Sequence, residues 1–292
     1  MSRASHRPPT RDWPTGPVSI STGTVELVRD PDRPSAVVVM VNGVPSSYVD
    51  LDDPALLAFE YMQQMAAVVD AMPAGPLEVV HLGAAGCALA RALDAARPGS
   101  RQLAVELDTT LPELVRRWFD LPRSPALRIR AGDARAVTER LPDRSADVVV
   151  RDVFAGDRTP THVQTREMAT HVARVLRAGG VYLVNCADRA PLALARAEVA
   201  TLAEQFADVA VVAEPGLLRG RGYGNVVLAA TDRTDLLASP ALARAVRSLP
   251  APARLLHGDE AAAFARGAAV LADPGPKDDG DAVDERTTKG RP

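Results

Sequence analysis

Leu77-Glu78-Val79-Val80-His81-Leu82-Gly83-Ala84-Ala85-Gly86 is the stretch on which the fold turns. Its first six residues make a mostly apolar run of strand length, and two glycines then break the run ahead of an alanine- and leucine-rich helical pattern over 87–96. A strand buried on both faces that passes through a glycine turn into a helix is the opening unit of a parallel α/β sheet.

The same alternation continues toward the C-terminus. Strands are expected at 102–106, 127–131, 147–151 and 180–185, with helices at 110–119, 134–140, 165–176 and 191–206. Two further strands, 209–213 and 224–230, have no helix between them, only the Arg/Gly-rich loop 216–222, so the last pair is antiparallel. Seven strands in this order predict an α/β fold with a methyltransferase-type, Rossmann-like sheet. Upstream, Asp52-Asp53-Pro54 reads as the opening of a helix whose apolar positions are Leu57, Tyr61, Met65, Val68 and Val69. Before it, β-prone runs at 18–21, 24–28, 36–41 and 44–48 form a small antiparallel β unit, with Asn42-Gly43 as a type I′ hairpin turn. The expected organisation is a disordered N-terminus over 1–16, the β unit over 17–50, the main domain over 51–272 and a disordered Pro/Gly/Asp-rich tail over 273–292.

Composition removes several functions. The 292 residues are 47% apolar and 24% charged with a net charge of −3, which describes a globular chain with no bias toward nucleic acid or a membrane surface. No apolar run approaches bilayer length, and the arginine- and proline-containing start lacks the apolar core of a secretory signal. Two cysteines cannot make a disulfide framework, which points to the cytoplasm. The two lysines, Lys277 and Lys289, both lie in the tail, so the body has none for a Walker loop or a Schiff base.

Open α/β sheets bind ligands where their strands end. The first strand ends in Gly83 and Gly86, where backbone can approach a nucleoside. The second ends in Glu106, spaced to accept both ribose hydroxyls. The third ends in Asp133-Ala134, where the carboxylate either caps the next helix or accepts an adenine amino group. The fourth ends in Asp152, beside the reacting end of such a ligand, followed by a polar loop over 157–162 that is a candidate lid. His81 reads as a core histidine and Cys87 as a packing residue. His162 and His171 have no metal spacing, so no metal is expected, and Arg219 and Arg221 fit a solvated hairpin loop.

Taken together, Val80–Gly86, Val105-Glu106-Leu107-Asp108, Gly132-Asp133-Ala134-Arg135, Asp152 and Pro160-Thr161-His162-Val163-Gln164-Thr165 resemble the spermidine synthase-like proteins of high-GC bacteria over roughly 20–272. The resemblance implies an aminopropyltransferase that uses decarboxylated S-adenosylmethionine as co-substrate and a polyamine as acceptor, releasing methylthioadenosine. It also implies that Glu106 binds ribose, that Asp133 and Ala134 frame adenine, and that Asp152 is the base. A homodimer paired through the β unit is compatible with it. Three positions depart from the family pattern. Gly86 stands where an aspartate holds the donor's ammonium group, Ala155 replaces the second aspartate of the Asp-Ser-Ser-Asp motif, and Phe59-Glu60-Tyr61 replaces Tyr-His-Glu. Each lost charge-assisted contact to a cationic amine costs about 1.5–3 kcal/mol. A methyltransferase using intact S-adenosylmethionine and a non-catalytic nucleoside-binding homologue are the alternatives.

Overall fold

The computed structural model describes residues 13–275 apart from Asp157. Four antiparallel strands come first: β1 (Val18–Ile20), β2 (Gly23–Arg29), β3 (Ala36–Val41) and β4 (Val44–Asp50). Asn42 and Gly43 both have positive φ, as the hairpin turn between β3 and β4 requires. Helix α1 (Glu60–Asp70) leads into the main sheet. It begins later than Asp52-Asp53-Pro54 suggests, because the Asp53 carboxylate closes a local turn on the Ala55 N–H and Leu57 packs before the helix starts.

The alternating part follows as β5 (Glu78–Leu82), α2 (Ala88–Ala96), β6 (Arg101–Glu106), α3 (Leu111–Trp118), β7 (Leu127–Ala131), α4 (Ala134–Arg140), β8 (Ala146–Arg151), α5 (Arg166–Val175), β9 (Leu176–Arg189) and α6 (Ala193–Leu202). The chain closes with β10 (Asp208–Ala213), α7 (Pro215–Leu218), β11 (Tyr223–Thr231), α8 (Thr234–Leu237), α9 (Pro240–Arg247), β12 (Arg254–Leu256) and α10 (Asp259–Ala265). The sheet order is β12-β10-β11-β9-β8-β5-β6-β7, with β5 through β9 parallel and the three other strands antiparallel. The sheet has eight strands rather than the seven expected. The extra one, β12, sets Leu255 and Leu256 opposite Val212 and Val211, and three residues are too few to show a strand period.

Alternation along each strand splits the core. Val80, Leu82, Val149 and Val184 pack on one face with α5 and α6, while Val79, Val148, Val150 and Leu183 pack on the other with α1 and α2. The small sheet lays Val25, Val37, Val39 and Val49 over Ala90, Leu111, Val115 and Trp118. Asp108 fastens it there: one carboxylate oxygen accepts from Ser21 Oγ, Thr22 Oγ1 and the Thr22 N–H, the other from the Thr110 and Leu111 N–H groups.

Both expected chain ends shift. Trp13 is buried and its indole N–H donates to the Trp118 carbonyl, so the packed body starts inside the segment assigned to a disordered N-terminus. Asp273 is likewise held, by Arg135 and Thr165. The expectations for 1–12 and 276–292 fall outside the described residues. Among the described residues, no helix is long and apolar enough to cross a membrane.

Candidate functional site

The order of the sheet reverses at β5, where the chain moves out to β6 on one side and back to β8 on the other. The crevice beyond the strand ends at that switch is where such sheets hold ligands. Gly83 sits in it with φ +89°, donating its N–H to the Val105 carbonyl, and a β-carbon there would collide with the Asp152 carbonyl. Only glycine lets the two halves approach this closely.

Gly86 has a different task. A β-carbon on it would lie 2.8 Å from Ser47 Cβ and 3.1 Å from side-chain methyls of Val39 and Val49, and its N–H donates to Ser47 Oγ at 2.9 Å. The geometry gives it a part in the packing of the small sheet. Cys87 is buried beside it with a thiol pushed up to about 12 by desolvation and by Glu106, so the helix start leaves it inert. His81 is buried with Nε2 2.8 Å from Gln102 Oε1, and burial depresses its pKa to about 4. It is a neutral core residue.

Glu106 ends β6 with its carboxylate facing the glycine turn. Oε2 accepts from the Ala84 and Ala85 N–H groups at 3.2 and 3.0 Å, and Oε1 from the Asp108 N–H at 3.1 Å. The side chain is therefore locked in place by three bonds, with about one lone-pair site to spare. Leu107 beside it is 60% exposed, an apolar surface at a polar strand end. Asp133 fulfils the capping reading. Oδ1 caps α4 through the Ala136 N–H at 2.9 Å, while Oδ2 lies 2.9 Å from His162 Nε2, and Ala134 is buried behind it. Burial works to raise the Asp133 carboxyl, but the bonds from Ala136 and His162 outweigh it and hold the pKa below 3.8.

Asp152 is the opposite case. Oδ2 accepts from Tyr61 Oη and Oδ1 from Asn185 Nδ2, both at 2.9 Å. Desolvation dominates, and its pKa rises above the ordinary value of 3.8 despite these bonds. The neighbouring Arg151 lowers it less than either bond does, and its buried guanidinium is paired with Glu198 (2.9 and 2.7 Å) and bonded to the Val163 and Asn185 carbonyls. Asn185 carries no role in the sequence, and Tyr61 figures there only as an apolar helix position and within Phe59-Glu60-Tyr61. Asn185 closes the strand expected over 180–185, which is a usable signal, although β9 runs on to Arg189; the contact of Tyr61 with Asp152, 91 residues away, is legible only in three dimensions. Ala155 contributes no carboxylate and pairs with Arg158 across the loop, whose Asp157 lies outside the described residues. A separate groove between α1 and α9, floored by Leu57, Ala67 and Leu242, contains none of these strand-end residues.

The arrangement therefore offers two carboxylates and an exposed apolar side chain on the β6–β7 side, and a desolvated carboxylate on the β8 side, joined across Gly83. No family model matches the chain. Its fold superimposes with a TM-score of 0.84 on a probable spermidine synthase from Corynebacterium glutamicum, 36% identical, over 91% of this chain and 98% of that one. Spermidine synthase from Thermotoga maritima shares the fold at a TM-score of 0.57 and 14% identity, over 81% of this chain and 78% of that one. The polyamine aminopropyltransferase of Vibrio vulnificus is 30% identical over 112 residues, a match that spans 38% of this chain and 38% of that protein.

Proposed function

This chain belongs to the spermidine synthase family, and from that premise we propose that it binds an S-adenosylmethionine-derived nucleoside along the β5–β7 strand ends and transfers its aminopropyl group to an amine held near Asp152. Decarboxylated S-adenosylmethionine is the proposed donor. Glu106 accepts from the ribose hydroxyls, Leu107 covers the base, and Asp133 accepts from the adenine amino group. Gly83 keeps the turn low enough for the nucleoside to cross. Gly86 supports the reading only indirectly, through its packing against Ser47.

The observation that carries this reading is the environment of Asp152. A protonated alkyl amine, with a pKa near 10, is only about one-thousandth neutral at pH 7, so the acceptor must lose a proton before or during attack. The amine nitrogen then attacks the carbon bonded to the sulfonium; the C–S bond breaks, and its electron pair neutralises the sulfur in methylthioadenosine. Asp152 takes the proton. A carboxylate whose pKa is raised by desolvation is a stronger base than an exposed one, and Tyr61 and Asn185 orient it without carrying charge.

The test is methylthioadenosine release from decarboxylated S-adenosylmethionine with putrescine, run beside binding titrations of the decarboxylated and intact donors. Release supports the reading. Methyl transfer from intact S-adenosylmethionine would replace it with a methyltransferase, and binding without turnover of either donor would leave a nucleoside-binding homologue.

A further inference from the structure

Residues 271–273, next to the end of the described chain, return to the nucleoside corner. The Arg166 N–H donates to the Leu271 carbonyl at 2.8 Å, and the Leu271 N–H donates to Thr201 Oγ1 at 2.8 Å. Asp273 is then gripped from two sides. Its N–H donates to Glu167 Oε2 at 2.9 Å, and its carboxylate accepts a two-pronged bond from Arg135 at 2.9 and 2.8 Å and another from Thr165 Oγ1 at 2.8 Å. A forked Arg–carboxylate pair fixes direction as well as distance. The Arg135 side chain is only 15% exposed, so this pair is better shielded from solvent than an ordinary surface bridge.

Arg135 stands two residues after Asp133, and the same Nη1 that meets Asp273 also donates to the His162 carbonyl at 3.1 Å. The His162 ring in turn meets Asp133 Oδ2 at 2.9 Å. The contacts form an unbroken line from Asp273 through Arg135 and the backbone of His162 to the carboxylate assigned to the base. We infer that the 271–273 segment is a strap and that Asp273 is a positioning residue for purine recognition: through Arg135 it holds the 161–163 turn so that His162 orients Asp133. This rests on the nucleoside reading above. Asp273 touches no ligand itself. Its effect is on which base is preferred.

The experiment uses the full chain and Asp273→Asn, which removes the charge of the forked pair and keeps the shape. Two readouts are taken. The first is binding of methylthioadenosine against its inosine counterpart, in which the amino donor of the base is replaced by an oxo group. The wild type prefers the amino purine, and the variant narrows that preference about tenfold, the scale expected of a coupled contact network. Arg135→Lys narrows it similarly, and the double variant adds little, because both act on one contact. The second is hydrogen exchange at the Val163 and Gln164 amides, which close the turn on the Pro160 and Thr161 carbonyls. These exchange faster in the variant while core strands do not. An unchanged preference with unchanged exchange would overturn the strap. If the wild type binds neither purine, the nucleoside reading falls, and exchange at Val163 and Gln164 alone decides the strap.

Discussion

Asp133 and Asp152 follow β7 and β8 on opposite sides of one crevice, and their surroundings push their pKa values apart. Asp133 receives a backbone N–H and a histidine, which outweigh its partial burial and keep it ionised. Asp152 is desolvated, has two uncharged donors, and its pKa rises. One fold thus lowers the pKa of one aspartate and raises that of another. Roles follow the balance of desolvation against hydrogen bonding rather than residue type. Asp108 makes the point a third time: five hydrogen bonds depress it despite burial, and it serves structure alone, tying the small sheet to the large one.

The sharpest way to break the contrast is Asp152→Asn. Turnover is expected to fall by roughly 10²- to 10⁴-fold while nucleoside affinity holds, as for loss of a general base. Assays of methylthioadenosine release with a parallel titration read both, and undiminished turnover would remove Asp152 as the base. The same variant tests the pKa direction through stability. A carboxyl raised on folding is favoured in its protonated form, so wild type should lose stability relative to Asp152→Asn as pH climbs from the unfolded value through the raised one. Denaturant midpoints across that window check the sign.

On the acceptor side, Glu106→Ala is expected to weaken methylthioadenosine binding by about 2–3 kcal/mol, since it removes charge-assisted bonds to two hydroxyls. Calorimetry decides it, and equal affinities would take ribose away from Glu106. Tyr61→Phe is a finer probe. The hydroxyl lowers the Asp152 pKa, so its loss should move the acidic limb of the kcat/KM profile to higher pH and cost about tenfold or less at neutral pH. A limb that moves the other way would mean that Tyr61 does not donate to this carboxylate. The smallest expected effect is that of trimming the chain to 13–275. Both arms of the crevice lie within that body, and Tm should change by less than about 2 °C. Trp13→Ala, by contrast, should lower Tm several-fold more, because it empties a buried site.

Much of this was readable in one dimension, and the successes share a cause. Apolar runs between glycines report burial on both faces, so β5 through β9 and the antiparallel β10–β11 pair could be placed from periodicity, and the strand-end rule then singled out Glu106, Asp133 and Asp152. The failures share a cause as well. Nothing local reveals Ser47, 39 residues earlier, lying against Gly86. Trp13 and Asp273 sit in segments whose composition argues for disorder, and each is ordered by one long-range partner set.

Sequence alone therefore determined seven of the eight strands of the large sheet and which acids follow their ends, because local hydrophobic period and turn chemistry act over a few residues; the strand order and its switch point came from the tertiary structure. Tertiary structure decided the partners and the pKa direction of the acids. Tyr61 reaches Asp152 from 91 positions away, His162 reaches Asp133 from 29, and Arg135 reaches Asp273 from 138. A carboxylate's pKa is set by desolvation and by the donors within a few ångströms, and those are chosen by packing rather than by neighbours in the chain.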